Sequence, residues 1–216
     1  IKGHLTDQSE SWKKALIEIN SNNRRLIIFH AASSGEFEQL KPILKLINPK
    51  KYFILQTFTS PTIFKQKQNT ELYNAVCYHP FDFPWSAFRF FRKFKPEYYI
   101  ITRHDIWPHH IYLAKLFGIK LYLINANLHQ KSLRLKPLAK YFNKWLFSNF
   151  NSIITASYRL KNNISLLVAP EKVKVVGDTR FDQVLFRKTK NMNHFPDNIN
   201  STKNIIFGSI LKSDYQ

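Results

Sequence analysis

A chain of 216 residues, 44% hydrophobic and 15% aromatic, has enough apolar side chains for one domain and the start of another, which excludes a disordered polymer. Lys and Arg number 33 against 14 Asp and Glu, a formal charge of +19; such a field draws polyanions and anionic membrane surfaces, although Lys, Asn, Ile and Phe enrichment also fits compositional drift. No apolar run approaches the roughly 18 residues of a membrane-spanning helix, and no signal peptide is visible. Cys77, the only cysteine, reads as a buried thiol in a reducing compartment. No Cys/His spacing suggests zinc. His109 and His110 lack the helical spacing that would place both rings on one metal, so a surface role is expected for them and no metal or cofactor is expected.

In chain order, an apolar run at 26–29 reads as a buried strand and helical spacing follows at 36–47. Strand 52–56 precedes helix 62–72, strand 75–78 precedes helix 85–94, and strand 98–102 precedes helix 107–117. Then come strand 120–124, helix 133–150, strand 152–155, helix 158–168 and strand 173–176. This alternation predicts the α/β class: a Rossmann-like parallel sheet with helices on both faces and right-handed crossovers. No repeat is evident, and the absence of a Gly-x-Gly-x-x-Gly turn argues against a dinucleotide enzyme. Residues 187–203, rich in Asn and Lys and broken by Pro196, read as a linker, after which 205–207 begin a new strand followed by Gly208 and Ser209.

The most informative segment is His30-Ala31-Ala32-Ser33-Ser34-Gly35-Glu36-Phe37-Glu38, between the first strand and its helix. Its small residues allow a sharp turn and close approach to a ligand. Glu36 falls in the first helical turn, at the carboxyl end of a strand, where open α/β sheets bind ligands. A carboxylate there can take a proton from a substrate hydroxyl, or merely complement the helix dipole. Ser34 and Gly35 place backbone N–H groups at the helix start, which suits an anion.

Read with Thr57 to Thr62, Pro80 to Pro84, Asp105 to Pro108, Asn125-Ala126 and Gly177 to Asp182, this segment resembles the amino-terminal domain of the 3-deoxy-D-manno-octulosonic acid (Kdo) transferases of lipopolysaccharide synthesis. The resemblance runs from about Arg25 to the end, and the variants Gly-Glu-Phe-Glu-Gln and Gly-Asp-Thr-Arg-Phe-Asp look most like the Bacteroidetes-type branch. It implies the amino-terminal half of a GT-B type glycosyltransferase. Residues 1–186 would form the acceptor-binding domain, 187–203 the linker, and 204–216 the start of a truncated donor domain that binds CMP-Kdo. The family inverts the anomeric centre without a required metal, and Glu36 matches its general base. The resemblance further implies acceptor contacts from Ser33, Ser34, Gly35, Thr59, Ser60, Arg103, Asp105 and Asn125, and donor contacts from Arg180, Gly208 and Ser209. The implied partners are CMP-Kdo, a lipid A precursor and the anionic inner-membrane surface. The implied place is the cytoplasmic face of that membrane, held peripherally or by an anchor before Ile1.

The chain departs from the pattern at three positions. Ile63 stands where many members have Gly, Arg103 replaces the first of two acids and Asn127 replaces an Arg, for which Lys131 or Arg134 could substitute. Arg103 would pair with a phosphate or with Glu36. Thr57, Thr59, Ser60 and Thr62 could instead cap a helix, Arg180 could pair with Asp178 to hold a turn, and Trp107 is expected in the core with Ile111 and Leu113. Glu38 reads as solvated or structural. A non-catalytic lipid-binding fragment is the alternative reading. A nucleic-acid-binding protein is disfavoured because the basic residues form no recognisable motif.

Overall fold

Successive residues of a strand point to opposite faces, and in the first strand both faces are buried: Leu26 and Ile28 join one core, Ile27 and Phe29 the other. A computed structural model describes residues 2–66, 70–103 and 105–191. The described residues include seven strands, β1 (Arg25–Ala31), β2 (Tyr52–Phe58), β3 (Ala75–Tyr78), β4 (Tyr98–Thr102), β5 (Lys120–Ala126), β6 (Ser152–Thr155) and β7 (Val173–Val175). All neighbours pair in parallel, in the order β3-β2-β1-β4-β5-β6-β7. The helices among the described residues are α1 (Lys2–Asn20), α2 (Ser34–Leu44), α3 (Pro61–Gln66), α4 (Pro84–Phe94), α5 (Pro108–Leu116), α6 (Pro137–Ser148), α7 (Tyr158–Ile164) and α8 (Thr179–Asn191). Side chains of α2 and α3 fill one core, and those of α1, α4, α5, α6 and α7 fill the other. The α/β sheet covered on both faces is therefore as the alternation predicts.

Several elements differ from the sequence pattern for identifiable reasons. Strands β1, β2 and β5 run two residues past their apolar segments, because the backbone ladder continues through polar side chains (His30 pairs with Thr57). The expected 133–150 helix is split. Pro137 holds Lys136 extended (φ −65°, ψ 148°), separating a 3₁₀ turn at Leu133–Leu135 from α6. Helix α3 is described over Pro61–Gln66, and Leu72, where the helix was expected to end, lies in a turn. Helix α1 was not evident in the pattern; it covers the edge strand β3, where Trp12 Nε1 donates to the Tyr78 carbonyl (2.8 Å) and Tyr78 N–H donates to Ser11 Oγ (3.2 Å). Sheet edges protected in this way do not offer themselves for intermolecular pairing.

By contacts the chain divides into two units, Ile1–Gln183 and Val184–Gln216. Helix α8 continues past residue 187, where the linker was expected, to Asn191. Gly208, Ser209 and the expected strand at 205–207 lie outside the described residues. Cys77 is fully buried on β3, and burial pushes its thiol pKa well up, as expected of a structural cysteine.

Candidate active site at the sheet switch point

The chain leaves β1 toward β2 and β3, then returns to place β4 on the other side of β1. Ligands of open α/β sheets bind beyond the carboxyl ends of the strands at such a reversal. The segments that follow β1 and β4 therefore face one crevice, and they carry Glu36 and Asp105.

Helix α2 starts where it does because Ser33 caps it. Ser33 is extended (φ −134°, ψ 164°) and its Oγ accepts the Glu36 N–H at 3.3 Å. Glu36 returns toward the strand: Ala32 N–H donates to its Oε2 at 2.7 Å, the carboxylate's one hydrogen bond among the described residues. This reciprocal arrangement resembles a capping box. It buries Glu36 to 7% exposure while Ser33, Ser34 and Gly35 stay exposed around it. A Cβ built on Gly35 would meet no atom within 4 Å beyond its chain neighbours and its own helix backbone, so the glycine borders open space. Glu38 points elsewhere, pairing with Lys41 Nζ (2.5 Å) and accepting from Gln183 Nε2 (3.1 Å), a structural role.

Asp105 lies in the irregular segment between β4 and α5, and its Oδ2 is 2.6 Å from His30 Nε2 on β1. This contact ties the two sides of the switch point together. His30 Nδ1 lies 2.9 Å from Thr57 Oγ1 on β2. The His30 ring packs against His79 (centroids 3.8 Å apart, planes tilted by 32°), and His79 packs in turn against His110 (4.5 Å, 38°). His79 Nε2 is 2.7 Å from the Tyr99 hydroxyl, and His110 Nδ1 is 2.9 Å from Asp82 Oδ1. Burial pushes the pKa values of His79 and His110 below the ordinary imidazole range, so both are neutral near pH 7.

On the other side of β4, Arg103 and Asn125 adopt left-handed backbone conformations (φ 63° and 51°). Such non-glycine residues are uncommon and concentrate at functional sites. Arg103 N–H donates to Ile124 O (2.8 Å), and Asn125 Nδ2 donates to Thr179 Oγ1 (2.9 Å) at the start of α8. Arg103 makes no ion pair with Glu36 among the described residues. Its charge instead helps lower the Asp178 pKa, after the larger effect of a hydrogen bond from Arg180. Arg180 Nη2 is 2.5 Å from Asp178 Oδ2, so this exposed guanidinium does hold a turn. Thr59 and Ser60 follow β2, and the buried Thr59 Oγ1 has no hydrogen-bond partner among the described residues.

Some expectations require correction. His110 is fully buried against Asp82; only its neighbour His109 reaches the surface. The pair diverges because His110 is on the core side of α5 together with Ile111 and Ala114. Trp107 is 38% exposed, because as the N-cap residue of α5 it precedes the helix and does not share the inward face of Ile111 and Leu113. Thr57 belongs to β2 rather than to a capping turn. Ile63 is buried in the core beside Phe64. Arg134, not Lys131, is the half-buried cation whose charge interacts with Asp105. The sequence pattern drew no attention to His30 as a partner of Asp105, to His79 or to Tyr99. Their one common signal was a polar or aromatic group in or directly after a strand that otherwise reads as core.

The family profile described as "3-Deoxy-D-manno-octulosonic-acid transferase (kdotransferase)" matches residues 10–183. The chain belongs to the Kdo transferase family. The probable mitochondrial 3-deoxy-D-manno-octulosonic acid transferase of Arabidopsis thaliana is 32% identical over 163 residues, covering 72% of this chain and 36% of the plant protein. The Chlamydia muridarum transferase is 25% identical over 160 residues, covering 72% of this chain and 37% of its own length. The Aquifex aeolicus transferase is 35% identical over 98 residues, covering 45% and 27%. The matched segments thus span well under half the length of these relatives. Among solved structures, the UDP-N-acetylglucosamine 2-epimerase of Rickettsia bellii superposes with a TM-score of 0.60 at 12% identity, over 83% of this chain and 51% of that one. The Methanocaldococcus jannaschii UDP-GlcNAc 2-epimerase gives 0.54 at 17% identity, covering 82% and 51%. These likenesses show the fold: one Rossmann-like half of a GT-B type architecture.

Proposed function

We propose that this chain forms the acceptor half of an inverting glycosyltransferase that moves Kdo from CMP-Kdo to a hydroxyl of a lipid A precursor in lipopolysaccharide synthesis, with Glu36 as general base. The observation that carries this reading is the placement of the buried Glu36 at the switch point, on an exposed rim formed by Ser33, Ser34 and Gly35. In the proposed step the acceptor oxygen attacks the anomeric carbon as the bond to the CMP phosphate oxygen breaks on the opposite face. The hydroxyl proton passes to Glu36, and CMP departs with the bonding electron pair. A positioned base contributes about 10²–10⁴-fold. Asp105, Arg103, Asn125, Thr59 and Ser60 are proposed to orient the acceptor, the left-handed conformations of Arg103 and Asn125 aiming their side chains. Arg180, Gly208 and Ser209 are proposed donor contacts, for which Arg180 would have to exchange Asp178 for the donor's carboxylate or phosphate. No cofactor or metal is invoked.

The proposed place of action is the anionic cytoplasmic face of the inner membrane. No helix among the described residues is long and apolar enough to cross a membrane. Support for a surface-bound state comes from α4, α5 and α6, which carry no Asp or Glu but include Arg89, Arg92, Lys93, Lys115, Lys140 and Lys144. Exposed aromatic groups lie among these cations: Trp85, Phe88, Tyr112, Tyr141, Phe142 and Trp145. Tyr112 and Phe142 both approach Trp145, with ring centroids at 6.2 and 5.7 Å. Amphipathic rings mixed with Lys and Arg suit a bilayer interface rather than a nucleic-acid groove.

The test is transfer from CMP-Kdo to lipid A precursor by the full-length protein, wild type beside Glu36→Gln. Activity in wild type with a loss of about 10²-fold or more in the variant supports the reading. No transfer by the folded wild type refutes it in favour of a lipid-binding module, and undiminished activity in the variant removes Glu36 as base.

A further inference from the structure

The end of β1 supports two carboxylates by two means. Ala32 N–H holds Glu36 at 2.7 Å, and the His30 imidazole holds Asp105 at 2.6 Å. Their local settings differ. Glu36 rides on a helix whose start is fixed by the Ser33 cap. Asp105 belongs to a segment without helix or strand, so its side chain depends more on tertiary contacts for its direction. Ordering such a side chain when substrate arrives costs rotamer entropy.

His30 is well suited to remove that cost. Its ring is fully buried on the central part of the sheet, held at Nδ1 by Thr57 Oγ1 and packed against His79. His79 is itself fixed by the Tyr99 hydroxyl. A ring held from behind in this way presents Nε2 in one direction. The partner of one ring nitrogen sets what the other can do. The Thr57 hydroxyl can donate to Nδ1, which puts the imidazole proton on Nε2, aimed at the carboxylate. Alternatively Thr57 donates to Phe29 O (3.3 Å) and accepts from Nδ1–H, and a proton must still lie between Nε2 and Asp105 Oδ2 to avoid facing lone pairs. In both arrangements the His30–Asp105 contact is a proton-bearing hydrogen bond across the switch point.

We propose that His30 is a positioning residue for the transfer reaction, acting through Asp105: it fixes the direction of the Asp105 carboxylate that meets the acceptor, while Glu36 takes the proton. This inference rests on the proposed transferase reading. It adds a residue whose effect passes wholly through a second side chain, and that property makes it testable.

The experiment is a double-mutant cycle in the full-length protein with CMP-Kdo and lipid A precursor: wild type, His30→Leu, Asp105→Asn and the double variant, with His30→Gln as a donor-retaining control and thermal melting to confirm folding. Expected are losses of about 10-fold or more in each single variant, partial recovery in His30→Gln, and a double variant no worse than Asp105→Asn alone. Additive losses, or a folded His30→Leu variant as active as wild type, overturn the proposal. A second arm needs neither activity nor a folded His30→Leu protein. In ¹⁵N-edited NMR of the imidazoles, the His30 Nε2 proton should be slowly exchanging and shifted downfield, and Asp105→Asn should move it. Ring signals of His30 indifferent to Asp105→Asn overturn the positioning role. If the wild type transfers no Kdo but the NMR coupling is present, the transferase reading fails while the His30–Asp105 pairing stands.

Discussion

Replacing Gly35 by Ala separates folding from ligand approach at the proposed crevice. Gly35 is the second residue of α2, has no left-handed φ, and would place its new Cβ more than 4 Å from every atom beyond its chain neighbours and its own helix backbone. The fold therefore has no steric reason to require glycine there. Ala favours a helix over Gly by about 1 kcal/mol in the interior, and by less in the first turn, partly by restricting the unfolded chain. A gain of about 0.5 kcal/mol is expected, equivalent to a melting temperature raised by about 1–2 °C for a domain of this size. The same methyl group would project into the open space at the residue next to Glu36, where the acceptor is proposed to approach. Transfer should then fall by about 10-fold or more, chiefly through KM for the acceptor, because the methyl meets the ground state as much as the transition state. Melting curves and initial rates on the full-length protein measure both. Destabilisation by more than about 1 kcal/mol would refute the backbone argument. A more stable protein with unchanged acceptor kinetics would refute the placement of the acceptor.

Further consequences concern the fold and its pH response. His79 and His110 have folded pKa values below the ordinary 6.5, so the unfolded chain binds protons that the folded one resists; stability is retained above about pH 6.5 and should fall below it, by up to about 1.4 kcal/mol per pH unit for each imidazole. Denaturant midpoints that stay level between pH 7.5 and 5.5 would count against buried neutral rings. Glu97 is held by Arg25 with its pKa down to about 2, so its stabilisation is present above about pH 4.5 and lost as pH falls through about 2; Glu97→Gln should flatten the acid limb of the melting profile modestly, since the pair is partly exposed. Trp12→Phe should cost about 1–3 kcal/mol in chemical denaturation, because it removes the donor to the Tyr78 carbonyl at the edge strand. Replacing Tyr141 and Trp145 by Ser should weaken sedimentation with anionic vesicles several-fold while leaving the melting temperature near wild type, as both side chains are largely solvent-facing; equal binding would move the membrane face elsewhere.

The alternation of short apolar runs with helical spacing was sufficient to find β1 through β7, because a parallel strand buried on both faces needs continuous apolar residues. The break before Pro137, between the 3₁₀ turn and α6, was missed because the apolar pattern runs through it. Helix α1 escaped notice because its polar residues dilute the apolar stripe that Trp12 and Ala15 contribute to the core. For the site, Glu36 was legible because its cap, its glycine and its strand are contiguous in the chain. Asp105 was legible as a candidate but its partner was not, since His30 lies 75 residues earlier.

Local spacing thus determines the α/β class and the turn that carries Glu36, while the ordered series of short motifs carries the resemblance to the family. The tertiary structure alone decides that β4 returns beside β1, because strand order follows from which apolar faces pack together and not from their order in the chain. That return places Asp105 against His30. It also buries His110 while leaving Trp107 at the surface, for the start of α5 fixes which way each side chain points. No period in the sequence encodes these pairings; they arise from long-range packing, in which a polar side chain is buried when another element, distant in sequence, supplies its hydrogen bond.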